Sequence, residues 1–254
     1  MTYCIAINVN DGLVLASDSR TNAGVDQVNI YSKMHRLLDD GERTVIVMTA
    51  GNLATSQAVI RRLRHDLEEG AERSLKTVPK LAGAAEYIGE VSVAEQEKRR
   101  KRQDKAFNPE ASFILAGQIR GAAPFIYLIY AEGNYIRSAS RSPFLQIGEL
   151  KYGKPILDRI IAPELDLETA ARCALVSMDS TQRSNLSVGP PIELLIYHRD
   201  TFGQGVRYVL DEDDAYLREL RESWQTKLQD AFATLPHLPG QPKPMRLVDA
   251  PGDQ

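Results

Sequence analysis

The chain has 254 residues, 43% of them apolar and 26% charged, with 31 Lys plus Arg against 34 Asp plus Glu for a formal charge of −3. A chain of that length buries enough surface to hold a core without disulfides or metals. Its balance excludes collagen, a coiled-coil rod, long disorder and a globally basic nucleic-acid binder.

A strand is expected at once, because Tyr3, Ile5, Ile7 and Val9 alternate with Thr2, Cys4, Ala6 and Asn8. Asn10-Asp11-Gly12 is a hairpin turn into a second strand at 13–17. Residues 18–29 are polar and read as a long loop, and 33–38 with 44–49 read as a second hairpin. The period then changes to helical: Val59, Ile60, Leu63 and Leu67 mark one helix, and Leu81, Ala84, Ala85, Ile88 and Val91 another. Strands resume at 112–118, 124–130 and 135–138. A short helix is expected at 156–161, a long one at 167–178, and strands at 192–197 and 206–210. Leu217, Leu220, Trp224, Leu228 and Ala231 stripe a last helix that starts behind acidic residues, where anions suit the helix dipole. Strands, two helices, strands, two helices is an α+β order, expected as one domain over 1–235 with a proline-rich tail over 236–254.

Several motifs point nowhere. Gly148-Glu149-Leu150-Lys151-Tyr152-Gly153-Lys154 has the spacing of a phosphate loop. Pro155 stands where that loop needs a hydroxyl for Mg²⁺, so a proline-started helix is expected instead. The basic run 98–102 has no interleaved aromatics and reads as a solvated helix end. His35, His65, His198 and His237 are scattered, and Cys4 and Cys173 form no zinc pattern, so no metal and no cofactor are expected. There is no Gly-x-Ser-x-Gly elbow, although a Ser–His–Asp triad is defined by geometry and not by order. The longest apolar run, 122–131, is shorter than the about 20 residues that cross a bilayer and contains a proline, so no membrane partner is expected. The first cation is Arg20; without a basic leader the expected location is cytoplasmic.

The first fifty residues carry more chemistry. Removal of Met1 leaves Thr2 with a free α-amine beside its hydroxyl, and an amine of pKa roughly 7.7–8.0 is a usable base near neutral pH. The second strand delivers Asp18 at its end, and Lys33 opens the third. If these strands are adjacent, Lys33 reaches the hydroxyl and Asp18 keeps the lysine charged, which lowers the cost of an alkoxide. Gly51, at a strand-to-helix junction, offers an N–H to a developing oxyanion.

These residues resemble the proteasome-type N-terminal-nucleophile hydrolases. The resemblance is carried by 17–24, by Thr49-Ala50-Gly51-Asn52-Leu53-Ala54-Thr55, by 144–155 and by 177–191. It implies a four-layer αββα sandwich and a threonine-type peptidase or amidase acting on a peptide or protein. It also implies self-assembly into proteasome-like rings or an open helical relative. Residue by residue, Thr2 matches the nucleophile, Asp18 and Lys33 its acidic and lysine partners, and Gly51 the oxyanion glycine. Asp179, at the end of the third long helix, matches the aspartate that orients the amine. Thr21, Thr49 and Leu53 match positions that line the specificity pocket, with Tyr31 and His35 nearby, and an extended substrate would pair with backbone near Asn22 and Gly51. Two places depart from the family pattern. A serine within Gly-Ser-Gly is replaced here by Glu149, which either accepts a hydrogen bond in its place or mis-sets the amine. The serine after the aspartate is contested by Ser180, Ser184 and Ser187, with Ser184 favoured. A ring-forming scaffold or peptide-binding protein with a vestigial site is the alternative, and an acyl transferase would use the same residues. Arg61, Arg62 and Arg64 are expected to meet the acidic start of the last helix across a subunit interface.

Overall fold

A computed structural model describes residues 1–22, 28–101 and 108–239. Residues 23–27 of the expected loop, Arg102 of the basic run and the expected tail from 240 onward lie outside the described residues. The chain divides into two compact units, Met1–Glu212 and Asp213–Gln254.

In the first unit, strands β1 (Tyr3–Val9) and β2 (Gly12–Asp18) form the expected hairpin, with Ile5 opposite Ala16. The polar stretch after Asp18 is not simply loop: β3 (Arg20–Asn22) pairs with β4 (Val28–Ile30) in a small separate ribbon. Three-residue strands with no apolar alternation leave no period-2 signal. Strands β5 (Met34–Asp39) and β6 (Arg43–Gly51) follow, then α1 (Leu53–Glu68) and α2 (Leu81–Arg100). After these come β7 (Ala111–Ile119), β8 (Phe125–Ile129), β9 (Tyr135–Arg137) and β10 (Phe144–Gly148). Helices α3 (Lys154–Ile160) and α4 (Leu167–Ser184) precede β11 (Ile192–His198) and β12 (Val206–Leu210).

The strands form two five-stranded antiparallel sheets, ordered β10-β1-β2-β11-β12 and β5-β6-β7-β8-β9. Alternation sorts side chains between layers. On β6, Ile46 and Met48 point at the other sheet and join Cys4, Ala6, Leu13 and Leu15 in the central core. Val45 and Val47 point the opposite way, into a second core with Val59, Leu63, Leu81 and Ile88 of α1 and α2. On the other sheet, α4 packs over β2, β1 and β11. The result is helices, sheet, sheet, helices: an α+β, four-layer αββα sandwich. Both faces of β1 are therefore buried, and its alternation separates small residues, which let the sheets approach, from the large ones under the helix.

Asn52 caps α1 by accepting from Thr55 N–H at 3.1 Å, and Asp166 caps α4 by accepting from Thr169 N–H at 2.8 Å. The apolar stripe predicts that α4 stops at 178, yet it continues to Ser184. Buried Thr181 bonds back to Ser177 C=O at 2.9 Å, and Asp179 pairs with Arg183 one turn on. Asp179 is thus inside the helix and not at its end. Lys98 and Arg99 of the basic run both bind Glu95, and Arg99 also donates to Ala54 C=O at 3.0 Å, so this helix end is fastened to α1. In the second unit, α5 (Ala215–Ala233) is capped by Asp214, which accepts from Leu217 N–H at 3.0 Å. Among the described residues no helix is long and apolar enough to cross a membrane.

Candidate active site

Four of the expected residues stand at strand ends: Thr2 and Lys33 just before β1 and β5, Asp18 and Gly51 at the ends of β2 and β6. Thr2 immediately precedes β1, and Asp18 closes β2 beside it. Asp18 is fully buried, and its Oδ1 accepts from Tyr3 N–H at 2.9 Å and from Lys33 Nζ at 2.6 Å. Lys33 does not come from an adjacent strand of the same sheet. It precedes β5 in the other sheet, and its side chain crosses the sandwich to reach Asp18. Its position is fixed from both ends: Lys33 C=O accepts from Thr49 N–H at 3.0 Å, and Nζ donates also to Arg20 C=O at 2.7 Å. Burial pushes the Asp18 carboxyl above its ordinary range, while the Lys33 ammonium pulls the other way. Two buried charges in direct contact are tolerable only because each completes the other.

Thr2 is held from the opposite side. Glu149 N–H donates to Thr2 C=O at 2.7 Å, prolonging the β1–β10 register, which sets Tyr3 opposite Gly148. Gly148 has φ +87°, and a Cβ there would lie 1.9 Å from Thr2 O, so only glycine lets β10 press this closely on Thr2. The Tyr3 hydroxyl meets Ser177 at 2.7 Å and also accepts from Gln146, which ties β1 to α4; burial pushes that phenol up to about 12.

Gly51 ends β6 exposed at φ +97°, opposite Ala111, with Asn52 N–H on Glu110 C=O directly behind it. Thr49 is buried in the same strand, Leu53 opens α1 half-exposed, and Thr21 and Asn22 lie on β3. Tyr31 donates its N–H to Ser19 C=O at 2.8 Å, and His35 lies on β5, where burial and Arg64 push its imidazole down to about 4. Asp179 is buried on α4 with Arg183 Nε at 3.3 Å. Ser184 is exposed as the last residue of that helix, and the contact from this helix end to the Thr2 side is made by its neighbour: Asn185 Nδ2 donates to Glu149 Oε2 at 3.1 Å.

Sequence reasoning missed Asn185, the Glu149 N–H and the Arg20 carbonyl. Backbone groups leave no trace in residue identity, and an asparagine after a helix reads as an ordinary stop signal. The phosphate-loop spacing is spent otherwise: Gly148 is the close approach to Thr2, and Lys154 Nζ binds Asp158 of its own helix at 2.6 Å. Among the described residues no three His, Cys, Asp or Glu side chains are placed to hold a metal.

A family model for the proteasome subunit matches residues 2–196. The chain belongs to the proteasome family. Solved structures place it within the Anbu group. It is 45% identical to the helical assembly of the Anbu complex from Pseudomonas aeruginosa, over 94% of this chain and 98% of that one, with a TM-score of 0.89. It is 40% identical to Anbu, the ancestral beta-subunit, from Yersinia bercovieri, over 93% and 98%, with a TM-score of 0.85. Against Anbu from Hyphomicrobium sp. strain MC1 the values are 40%, 93% and 99%, with a TM-score of 0.84. A comparison with curated proteins gives no match. The proteasome-type fold of the N-terminal-nucleophile hydrolases is thus shared across nearly the whole chain, residue 2 included.

Proposed function

We propose that the chain is a threonine-type amide or peptide hydrolase whose nucleophile is Thr2 after removal of Met1. The observation that supports the reading is the buried Asp18–Lys33 pair, joined from the end of β2 and the entrance to β5, with Asp18 bonded to the N–H of Tyr3, the residue next to Thr2. Thr2 Oγ attacks the scissile carbonyl while its own amine takes the proton. The Lys33 ammonium, kept charged by Asp18, lowers the cost of the alkoxide, and Gly51 N–H receives the oxyanion. The amine then protonates the leaving amine, and water, deprotonated by the same amine, releases the acyl group from Thr2. Asp179 and Ser184 are assigned to orienting the amine, and Thr21, Asn22, Thr49 and Leu53 to holding an extended peptide. The reading includes a cytoplasmic location and self-assembly. Assembly is supported by the helical Anbu complex of Pseudomonas aeruginosa, and the exposed Arg61, Arg62 and Arg64 of α1 are the proposed contact to the acidic start of a neighbouring copy's last helix.

The test is the intact mass of the purified protein before and after incubation with a threonine-directed peptide epoxyketone, alongside Thr2→Ala. Loss of the Met1 mass and a stoichiometric adduct, absent in Thr2→Ala, is expected, together with loss of amide turnover in a variant that stays folded. Retained turnover in Thr2→Ala overturns the proposal. A scaffold with a vestigial site, favoured by Glu149 where the family carries serine, predicts instead that assembly and partner binding persist and that processed Thr2 takes no adduct.

A further inference from the structure

We propose that Glu149, anchored by Asn185, is a positioning residue that holds the proton on the Thr2 amine to higher pH than a neutral partner would; the inference rests on the Thr2 reading above. Glu149 is 7% exposed, and its backbone N–H is already committed to Thr2 C=O at 2.7 Å. The amine and that carbonyl belong to the same residue, so residue 149 lies against the residue that bears the amine. Both carboxylate oxygens are held: Oε1 accepts from Lys151 N–H at 3.1 Å and Oε2 from Asn185 Nδ2 at 3.1 Å. Asn185 is the residue directly after α4, the helix that also carries Asp179. One helix end therefore fixes the carboxylate, and the turn that bears the carboxylate fixes the nucleophile residue. Both donors to the carboxylate are neutral amides, and among the described residues no cationic side chain pairs with it.

The sign follows from electrostatics. A nearby negative charge stabilises the ammonium form, so the neutral amine that serves as base appears only at higher pH. The other charged groups on the neighbouring elements are Asp18 at the end of β2, Lys33 before β5, Asp179 with Arg183 on α4, and Lys151 in the Glu149 turn. Glu149→Gln leaves all of these in place, preserves side-chain volume and keeps the backbone N–H. It removes one charge only.

The experiment uses the full chain beginning at Thr2. The rate of acetylation of the Thr2 amine is measured against pH, by mass of the N-terminal peptide, in the wild type, Glu149→Gln, Glu149→Asp and Asn185→Ala. The midpoint in Glu149→Gln is expected about one pH unit below that of the wild type. Glu149→Asp, which keeps the charge, is expected close to the wild type. Asn185→Ala is expected in between, and it remains informative if Glu149→Gln folds poorly. Equal midpoints in the wild type, Glu149→Gln and Asn185→Ala, or a shift to higher pH, overturn the proposal. A downward shift in a protein that takes no epoxyketone adduct leaves the Glu149 assignment standing and refutes the hydrolase. An adduct with unmoved midpoints does the reverse.

Discussion

The two ends of strand β1 are built differently. At the Thr2 end, Asp18 and Lys33 are buried and paired with each other, and backbones approach so closely that Gly148 admits no side chain. At the other end, Asn8 and Val9 border an open cleft of about 210 Å³ with Pro124, Pro163, Arg137 and Arg199. Its cations are exposed; Arg137 lies over the Phe125 ring, and Arg199 reaches Asp200 only at 3.5 Å. The far end carries exposed cations around its cleft, and the Thr2 end carries a buried ion pair. Activation of a nucleophile requires groups held at hydrogen-bond range in low dielectric, which is the character of the Thr2 end.

The largest effect that sharpens this contrast is expected at the ion pair. Lys33→Met leaves Asp18 buried and uncompensated, at a cost of about 3–5 kcal/mol in denaturant unfolding. Adding Asp18→Leu should recover most of that loss. Arg199→Met at the far end should change stability by less than about 0.5 kcal/mol. Equal costs at the two ends would remove the distinction. A smaller effect separates two glycines that share a positive φ. Gly148→Ala places a methyl against Thr2 O and should cost about 1–3 kcal/mol while displacing Thr2 enough to abolish epoxyketone labelling. Gly121→Ala, at φ +82° with open space around it at the far end, should cost about 1 kcal/mol or less and leave labelling intact. Comparable losses from both would mean that backbone strain, and not the clamp on Thr2, dominates.

A different kind of effect is one of pH. The His35 imidazole is lowered to about 4 in the fold, from 6.5, because burial disfavours its charged form. Its neutral form therefore contributes stability that is fully present above 6.5 and is lost as pH falls through about 4. Acid titration of unfolding should show this slope, and His35→Gln should flatten it. An unchanged slope would put the acid sensitivity on other groups.

Much of this arrangement was legible in the sequence. The helices and the long strands followed from periodicity, and Asp18, Lys33 and Gly51 were visible as residues at strand ends. Lys33 was expected from a neighbouring strand, because a linear pattern does not reveal which sheet a strand joins. The length of α4 was missed because its last turn is held by Thr181 and the Asp179–Arg183 pair and not by apolar spacing. Asn185 was invisible, since its role depends on where β10 brings Glu149.

The route of Lys33 across the sandwich also has a mechanical meaning. Asp18 belongs to one sheet and Lys33 to the entrance of the other, so their 2.6 Å contact gauges how the layers are aligned. A slip of either sheet stretches that contact well before it uncovers Ile46, Met48 or Leu15 between them. Substitutions deep in the central core should therefore detune the proposed nucleophile while the protein remains folded.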